Sequence, residues 1–444
     1  QTVTFAAGTT TAQTITINAI ADGVTEGLEG YQAQLLNNGV VVASLNGLIN
    51  DPSTGSVGNT VTLTANVENV SPSAPAPFAT SSGNDLIIAG EGAVGGVHTL
   101  GSSDVIDGGP GTDRINIRLA NGGIGGTPPG QIVNPNMSSV EQVFIQSLST
   151  GTIAGGTSAG ANFINVTGIT ELWSDNSSGD LNIVNVTVKP TVGVKQGNGS
   201  NFSVALSTAA VTGALDVVLD TANVNNLFVD NANNNGVGPA NGLAASTGFA
   251  TINLNASVGA STVATLGSGG DIKTLNVSGV GAVKITNALD AGLSTLNASS
   301  NSGGTNLNVS NSAVGVTYTG GTGNDRIDFG ASLDLSDAVN GGAGRNTLAV
   351  FSQQQIVTGL VVSNEQVLEL NNLDGVNGTL ETTRIAGIDE VQVIKNATTN
   401  INATLNNAVI NGLVSGNTFT TNATVGNLTA TVNVTNANVA GTLD

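Results

Sequence analysis

Thr251-Ile252-Asn253-Leu254, Thr274-Leu275-Asn276-Val277 and Thr295-Leu296-Asn297 repeat one short phrase at steps of 23 and 21 residues. Within each phrase apolar residues alternate with Thr or Asn, the period-two pattern of a strand with one buried face. A strand phrase that returns every roughly 20–25 residues is the mark of a solenoid, in which no coil buries its apolar face alone. Gly and Asn between the phrases supply the left-handed backbone positions of the corners.

The composition agrees with an all-β chain of this kind. Only 9% of its 444 residues are charged, against about 25% in an average soluble domain. Low charge suggests a membrane protein, but no stretch offers about 20 consecutive apolar residues. Alternating Val, Ile, Leu and Thr runs argue against disorder. Thirty acidic residues against ten basic give a net charge of -20. That balance excludes nucleic acid, which needs a Lys/Arg footprint, and favours divalent cations. There is no Cys, so disulfides contribute nothing. No signal peptide precedes the strand-like run Thr2-Val3-Thr4-Phe5; the leader is missing, the export signal lies elsewhere, or the chain is a piece of a longer one.

Residues 1–51 alternate with period two at 14–20 and again at 31–35, and Asn37-Asn38-Gly39 before Val40-Val41-Val42 predicts a hairpin. The series Val3-x-Phe5-x-x-Gly8, the strand at 14–17, and Asp22-x-x-x-Glu26-x-x-Glu29-x-Tyr31-x-x-x-Leu35 resembles the second half of a Calx-β domain. That resemblance implies a partial immunoglobulin-like β-sandwich. Residues 52–79 contain Ser71-Pro72-Ser73-Ala74-Pro75-Ala76-Pro77, which predicts a stiff linker or a domain edge because Pro removes donors and extends its neighbours.

The remainder reads as a duplication. Ser82-Gly83-Asn84-Asp85 matches Thr322-Gly323-Asn324-Asp325, Asp104 matches Asp337, and Gly108-Gly109-Pro110-Gly111-Thr112-Asp113 matches Gly341-Gly342-Ala343-Gly344-Arg345-Asn346. Glu141 matches Glu365 and Glu171 matches Glu390. One solenoid module therefore spans 80–316 and a shorter one 317–444.

Two stretches fit the nonapeptide G-G-x-G-x-D-x-U-x, with U a large apolar residue. They are Gly108 to Asn116, with Asp113 and Ile115 at the D and U positions, and Gly320 to Asp328, with Asp325 and Ile327 there. Degenerate copies place Asp85, Asp104 and Asn346 at the D position. The nonapeptide resembles the calcium-binding turn of RTX proteins. Calcium takes six to eight hard oxygens. Gly at positive φ turns carbonyls inward, and Asp adds charged oxygens between coils. The expected calcium ligands are Asp85, Asp104, Asp107, Gly108, Gly109, Gly111 and Asp113 in the first cluster. In the second they are Gly320, Gly321, Gly323, Asp325, Asp328, Asp337, Gly341, Gly344 and Asn346. Thr60-Val61-Thr62-Leu63-Thr64, these turns, and Ser139-Val140-Glu141-Gln142-Val143 together resemble RTX-type bacterial surface-layer and giant surface proteins. The resemblance covers about residues 58 to 444. It implies calcium-binding turn clusters leading into β-helix-like modules, export by a type I system, and calcium-dependent folding or assembly at the cell surface.

Little material exists for catalysis. His98 is the one His, so a His-Glu-x-x-His zinc helix is excluded, and His98 reads as a solvated loop residue. Trp173, Tyr31 and Tyr318 make no evident sugar platform. The expected protein is extracellular and structural, not an enzyme, and its partner is itself, in a layer, sheath or filament. Cell-surface polysaccharide is a second partner. An adhesin or matrix fibre, and a solenoid polysaccharide-degrading enzyme, remain as alternatives.

Overall fold

The recurring Thr-x-Asn phrases are strands stacked on one another. In the computed structural model, Thr251–Ala256 pairs in parallel with Thr274–Gly279, which pairs with Thr295–Asn301. Thr251 faces Thr274, and Thr274 faces Thr295. The spacing in sequence is thus the coil length. The structure describes residues 28–37, 40–50, 57–90, 99–119, 132–148, 159–231, 247–270, 272–351, 360–371, 378–379, 388, 390–393, 400–403, 409–411, 418–421 and 431–433.

Two compact units divide after Val57. In the second, a 13-stranded and a 14-stranded sheet run the length of the coils, with smaller sheets of four and three strands. Its strand pairings are parallel, and the one helical element among the described residues is the short 3-10 turn Thr208–Ala210. This is the architecture of a β-solenoid. The first coils add a third side, built by Asn69–Val70, Val105–Asp107, Asn136–Ser138 and Asn165–Val166. Later coils use one strand from each long sheet as far as Val361–Ser363, and beyond it the three-stranded sheet of Gly378–Thr379, Asn400–Ala403 and Thr418–Thr421 accompanies the 14-stranded one.

Alternation explains the interior. Thr251–Ala256 buries Ile252, Leu254 and Ala256 and turns Thr251, Asn253 and Asn255 outward. Register then builds columns. One runs Leu215, Ile252, Leu275, Leu296, Tyr318, Val339 and Val362, all buried. Each such side chain contributes about 2 kcal/mol only where a neighbouring coil covers it, which makes the coils interdependent. Outside, amides form ladders: Asn276 Nδ2 donates to Asn253 Oδ1 and Asn253 Nδ2 to Asp216 Oδ1.

Two expectations are modified. The stretch 52–79 is not a linker over its described part, because Val57–Thr62 and Asn69–Val70 are solenoid strands and Val61, Leu63 and Val70 are buried in its core. No break separates the duplicated modules. Thr295–Asn301 pairs with Thr317–Thr319 and on to Ala338–Asn340 within one sheet, so residue 317 begins a sequence repeat inside one stack. In the first unit, Leu28–Asn37 and Val40–Asn50 form the expected antiparallel hairpin. The rest of the sandwich reading, with Asp22 and Glu26, lies outside the described residues, as does His98.

Candidate metal centre

The nonapeptide turns stack, and their Asp side chains point into the stack. What those carboxylates meet is backbone N–H. Asp85 Oδ1 accepts from Asn59 N, and its Oδ2 accepts from Ser81 N at 2.8 Å. Asp104 accepts from Glu68 N at 2.9 Å and Gly101 N at 2.6 Å. Asp325 Oδ1 accepts from the N and Oγ1 of Thr305 at 2.7 and 2.8 Å, and its Oδ2 from Gly321 N at 2.8 Å. Asp337 accepts from Val316 N at 2.7 Å and Asp334 N at 2.6 Å. Each of these carboxylates therefore bonds both its own turn and the preceding coil, and in Asp104, Asp325 and Asp337 one oxygen serves each. Charge-assisted bonds of this kind are among the stronger hydrogen bonds in proteins.

The duplication extends to this bonding. Asp85 N donates to Asp113 Oδ1 at 2.7 Å, and Asp325 N donates to Asn346 Oδ1 at 3.0 Å. Thr112 N reaches Asn84 Oδ1, and Arg345 N reaches Asn324 Oδ1, both at 2.9 Å. The glycines answer to the same stacking. A Cβ on Gly320 would lie 2.2 Å from Gly341 O, one on Gly341 2.3 Å from Asn364 O, and one on Gly108 1.9 Å from Ser139 O. Gly109, Gly111, Gly342 and Gly344 have positive φ, whereas Gly108, Gly320, Gly321, Gly323 and Gly341 do not. The expected reason for glycine, left-handed backbone, holds for the first group. Close approach of the next coil explains the second.

Hydrogen-bond chemistry also accounts for Asn346. Its Nδ2 donates to Ala343 O at 3.2 Å and Asn364 O at 2.9 Å, which a carboxylate cannot do. Asn346→Asp restores the nonapeptide consensus yet is expected to cost about 2 kcal/mol in chelator, read by denaturant unfolding. Greater stability in the variant would show that the position selects a metal ligand.

Among the described residues no three His, Cys, Asp or Glu side chains come together in a group that could hold a metal ion. Asp328 faces outward, with Oδ2 3.0 Å from Arg326 and Oδ1 accepting from Gly330 N. Asp107 is engaged by Gly109 N at 3.2 Å. No protein-family model and no curated protein matches the chain.

Three places nevertheless hold buried acidic oxygens without partners among the described residues: Glu68 Oε2, whose other oxygen accepts from Thr64 Oγ1, Asp113 and Glu365, and the last two are the more acid-rich. Asp113 Oδ2 is buried and unbonded, while Glu141 Oε2 accepts from Asp113 N at 2.8 Å. Burial, with repulsion from Asp85, Glu141 and Asp107, pushes the Asp113 carboxyl up to about 6. Glu365 is fully buried and neither of its oxygens has a partner. Burial first, then the nearby Asp325, pushes it up to about 8. Burial also raises Asp325, against the pull of its bonds to Thr305 and Gly321. Tyr318, whose Oη lies 3.3 Å from Thr305 Oγ1, closes this interior cluster. A hard cation suits the donor chemistry of these two spots, since oxygen acids stand there without a counter-charge. It is poorly suited to Asp85, Asp104 and Asp337, whose oxygens already serve N–H groups.

Glu365 and the roles of Tyr318 and Thr305 were not evident in the turn motif. The duplication in the sequence pairs Glu365 with Glu141. The structure separates them: Asp113 N takes Glu141, whereas Asn346 N takes Gln366 Oε1 at 2.7 Å. The other recurring acids serve the outside, Glu171 accepting from Trp173 Nε1 at 2.8 Å and Glu390 from Arg345 at 2.6 Å.

Proposed function

We propose that this chain is a structural subunit of an extracellular bacterial surface assembly, a layer, sheath or filament built from copies of itself. The observation that carries the reading is the single uninterrupted stack of parallel coils, continuous through both duplicated turn clusters. Such a stack devotes its sequence to propagating one cross-section, and its terminal strands offer backbone groups of the kind that pair edge to edge. The RTX-like turns, the acidic balance and the absence of Cys fit export to a calcium-rich, exterior compartment.

Calcium belongs to this proposal at a reduced set of residues. Asp113, beside Asp85 and Glu141, and Glu365, beside Asp325, are the groups that would hold it. It would supply the positive charge that these buried acids lack, and the coils would gain stability from binding.

The test is assembly of the purified chain, imaged by electron microscopy with calcium and with excess chelator. Sheets, tubes or filaments are the expected products with calcium. Monodisperse monomers under both conditions would overturn the assembly reading and favour an adhesive stalk. Hydrolysis of a polysaccharide panel, lost on substitution of a single Glu, would favour an enzyme.

A further inference from the structure

On the outer face of the 13-stranded sheet, three consecutive coils place Arg114, Phe144 and Trp173 in one stack. The Arg114 guanidinium lies 3.6 Å above the Phe144 ring centre. Phe144 and Trp173 stack with centroids 5.3 Å apart and planes within 4°. Gly193 on the following strand leaves room for the indole, since a Cβ there would fall 2.1 Å from the ring. Phe144, held between Arg114 and Trp173, lines a depression of about 320 Å³. Ile88 and the Phe144 edge form its apolar part, and Asn116, Arg118, Asp175 and Gln196 its polar part.

Arg118 is exposed and makes no ion pair among the described residues. This is unusual in a chain with three acids for every base. Arg114 is already used, donating to Asn116 Oδ1 at 2.7 Å and standing 3.9 Å from Asp175. Arg114, Arg118 and Lys195 place three of the ten basic residues on this one face.

We propose that this depression binds an acidic sugar unit of a polysaccharide. Its volume is near the lower end of small-ligand sites, about 300 Å³, and suits a sugar unit better than a protein segment. The guanidinium of Arg118, unpaired among the described residues, matches a carboxylate with two parallel N–H donors. Asn116, Gln196 and Asp175 offer the mixed donors and acceptors that ring hydroxyls require. Ile88 and the edge of Phe144 meet the apolar face of the pyranose. The site is independent of whether the chain assembles.

Trp173 is the only tryptophan and lies against Phe144, so its fluorescence reports occupancy. The full chain is titrated with a short galacturonate oligomer, with a neutral glucose oligomer and with an acidic peptide, at one fixed calcium concentration. The galacturonate oligomer is expected to bind, by calorimetry and by a change in Trp173 emission. Arg118→Ala is expected to weaken binding about tenfold or more, and Arg118→Lys less, because lysine keeps the charge and loses the fork. Circular dichroism identical to wild type verifies that both variants are folded. Absence of galacturonate binding, equal binding of the neutral oligomer, tighter binding of the acidic peptide, or affinity unaltered in Arg118→Ala would each overturn the proposal.

Discussion

Gly320→Ala is expected to destabilise the solenoid by about 3 kcal/mol or more. The φ of Gly320 lies outside the left-handed region, so the substitution carries no penalty of that kind. The whole cost is steric. The new methyl group would lie 2.2 Å from Gly341 O and 2.9 Å from Asp325 Oδ2. Neither partner is a flexible side-chain tip. Gly341 O belongs to the next coil, and Asp325 is held by Thr305 and Gly321. Relief therefore requires the coils to separate, which lengthens the backbone bond of Gly320 N to Asn340 O, now 2.7 Å. Gly270→Ala is the control. Its φ is +73° and nothing lies within 4 Å of the new methyl, so only the left-handed backbone is charged against it, about 1 kcal/mol. Chemical denaturation of both variants in chelator measures the difference. Equal losses would show that the turns do not stack this closely.

These two glycines show why the coils were legible in sequence and the turns only partly so. The Thr-x-Asn phrase exposes its period because alternation is local and each copy carries its own register. Coil-to-coil pairing then follows from matching like to like. In the turns, the partner of each carboxylate lies on another coil. Asp104 bonds Glu68, and Asp325 bonds Thr305. An Asp that caps N–H groups and an Asp that binds calcium require the same neighbouring glycines, so the motif reads identically for both. Only the three-dimensional partners separate them. The Phe144–Trp173 stack was hidden for another reason. The coils there pair Arg114 with Gln142 and Gln142 with Glu171, longer steps than the one visible in the Thr-x-Asn phrases. That period therefore does not bring Phe144 opposite Trp173.

Glu365→Gln is expected to stabilise the metal-free protein by on the order of 3 kcal/mol at pH 7. The folded carboxyl titrates at about 8, against the usual 4.5. A carboxyl raised in this way favours the folded state fully below pH 4.5. Between there and about 8 the unfolded chain ionises while folded Glu365 holds its proton, and stability falls as pH rises. Gln keeps the shape and has no proton to lose, so the variant's advantage should vanish near pH 4 and be largest above pH 8. Calcium adds a second, opposite expectation. If a cation neutralises Glu365 beside Asp325, millimolar calcium raises the melting temperature of wild type and largely erases the advantage of Gln. Thermal melts at pH 4, 7 and 8.5, with calcium and with chelator, resolve both expectations. A pH-independent difference would mean that Glu365 is ionised and paired in the fold. A pH-dependent one that calcium leaves untouched would confine Glu365 to a proton-holding role and remove this column from the calcium reading. The two outcomes differ because a proton and a dication satisfy the same buried oxygens in opposite pH ranges.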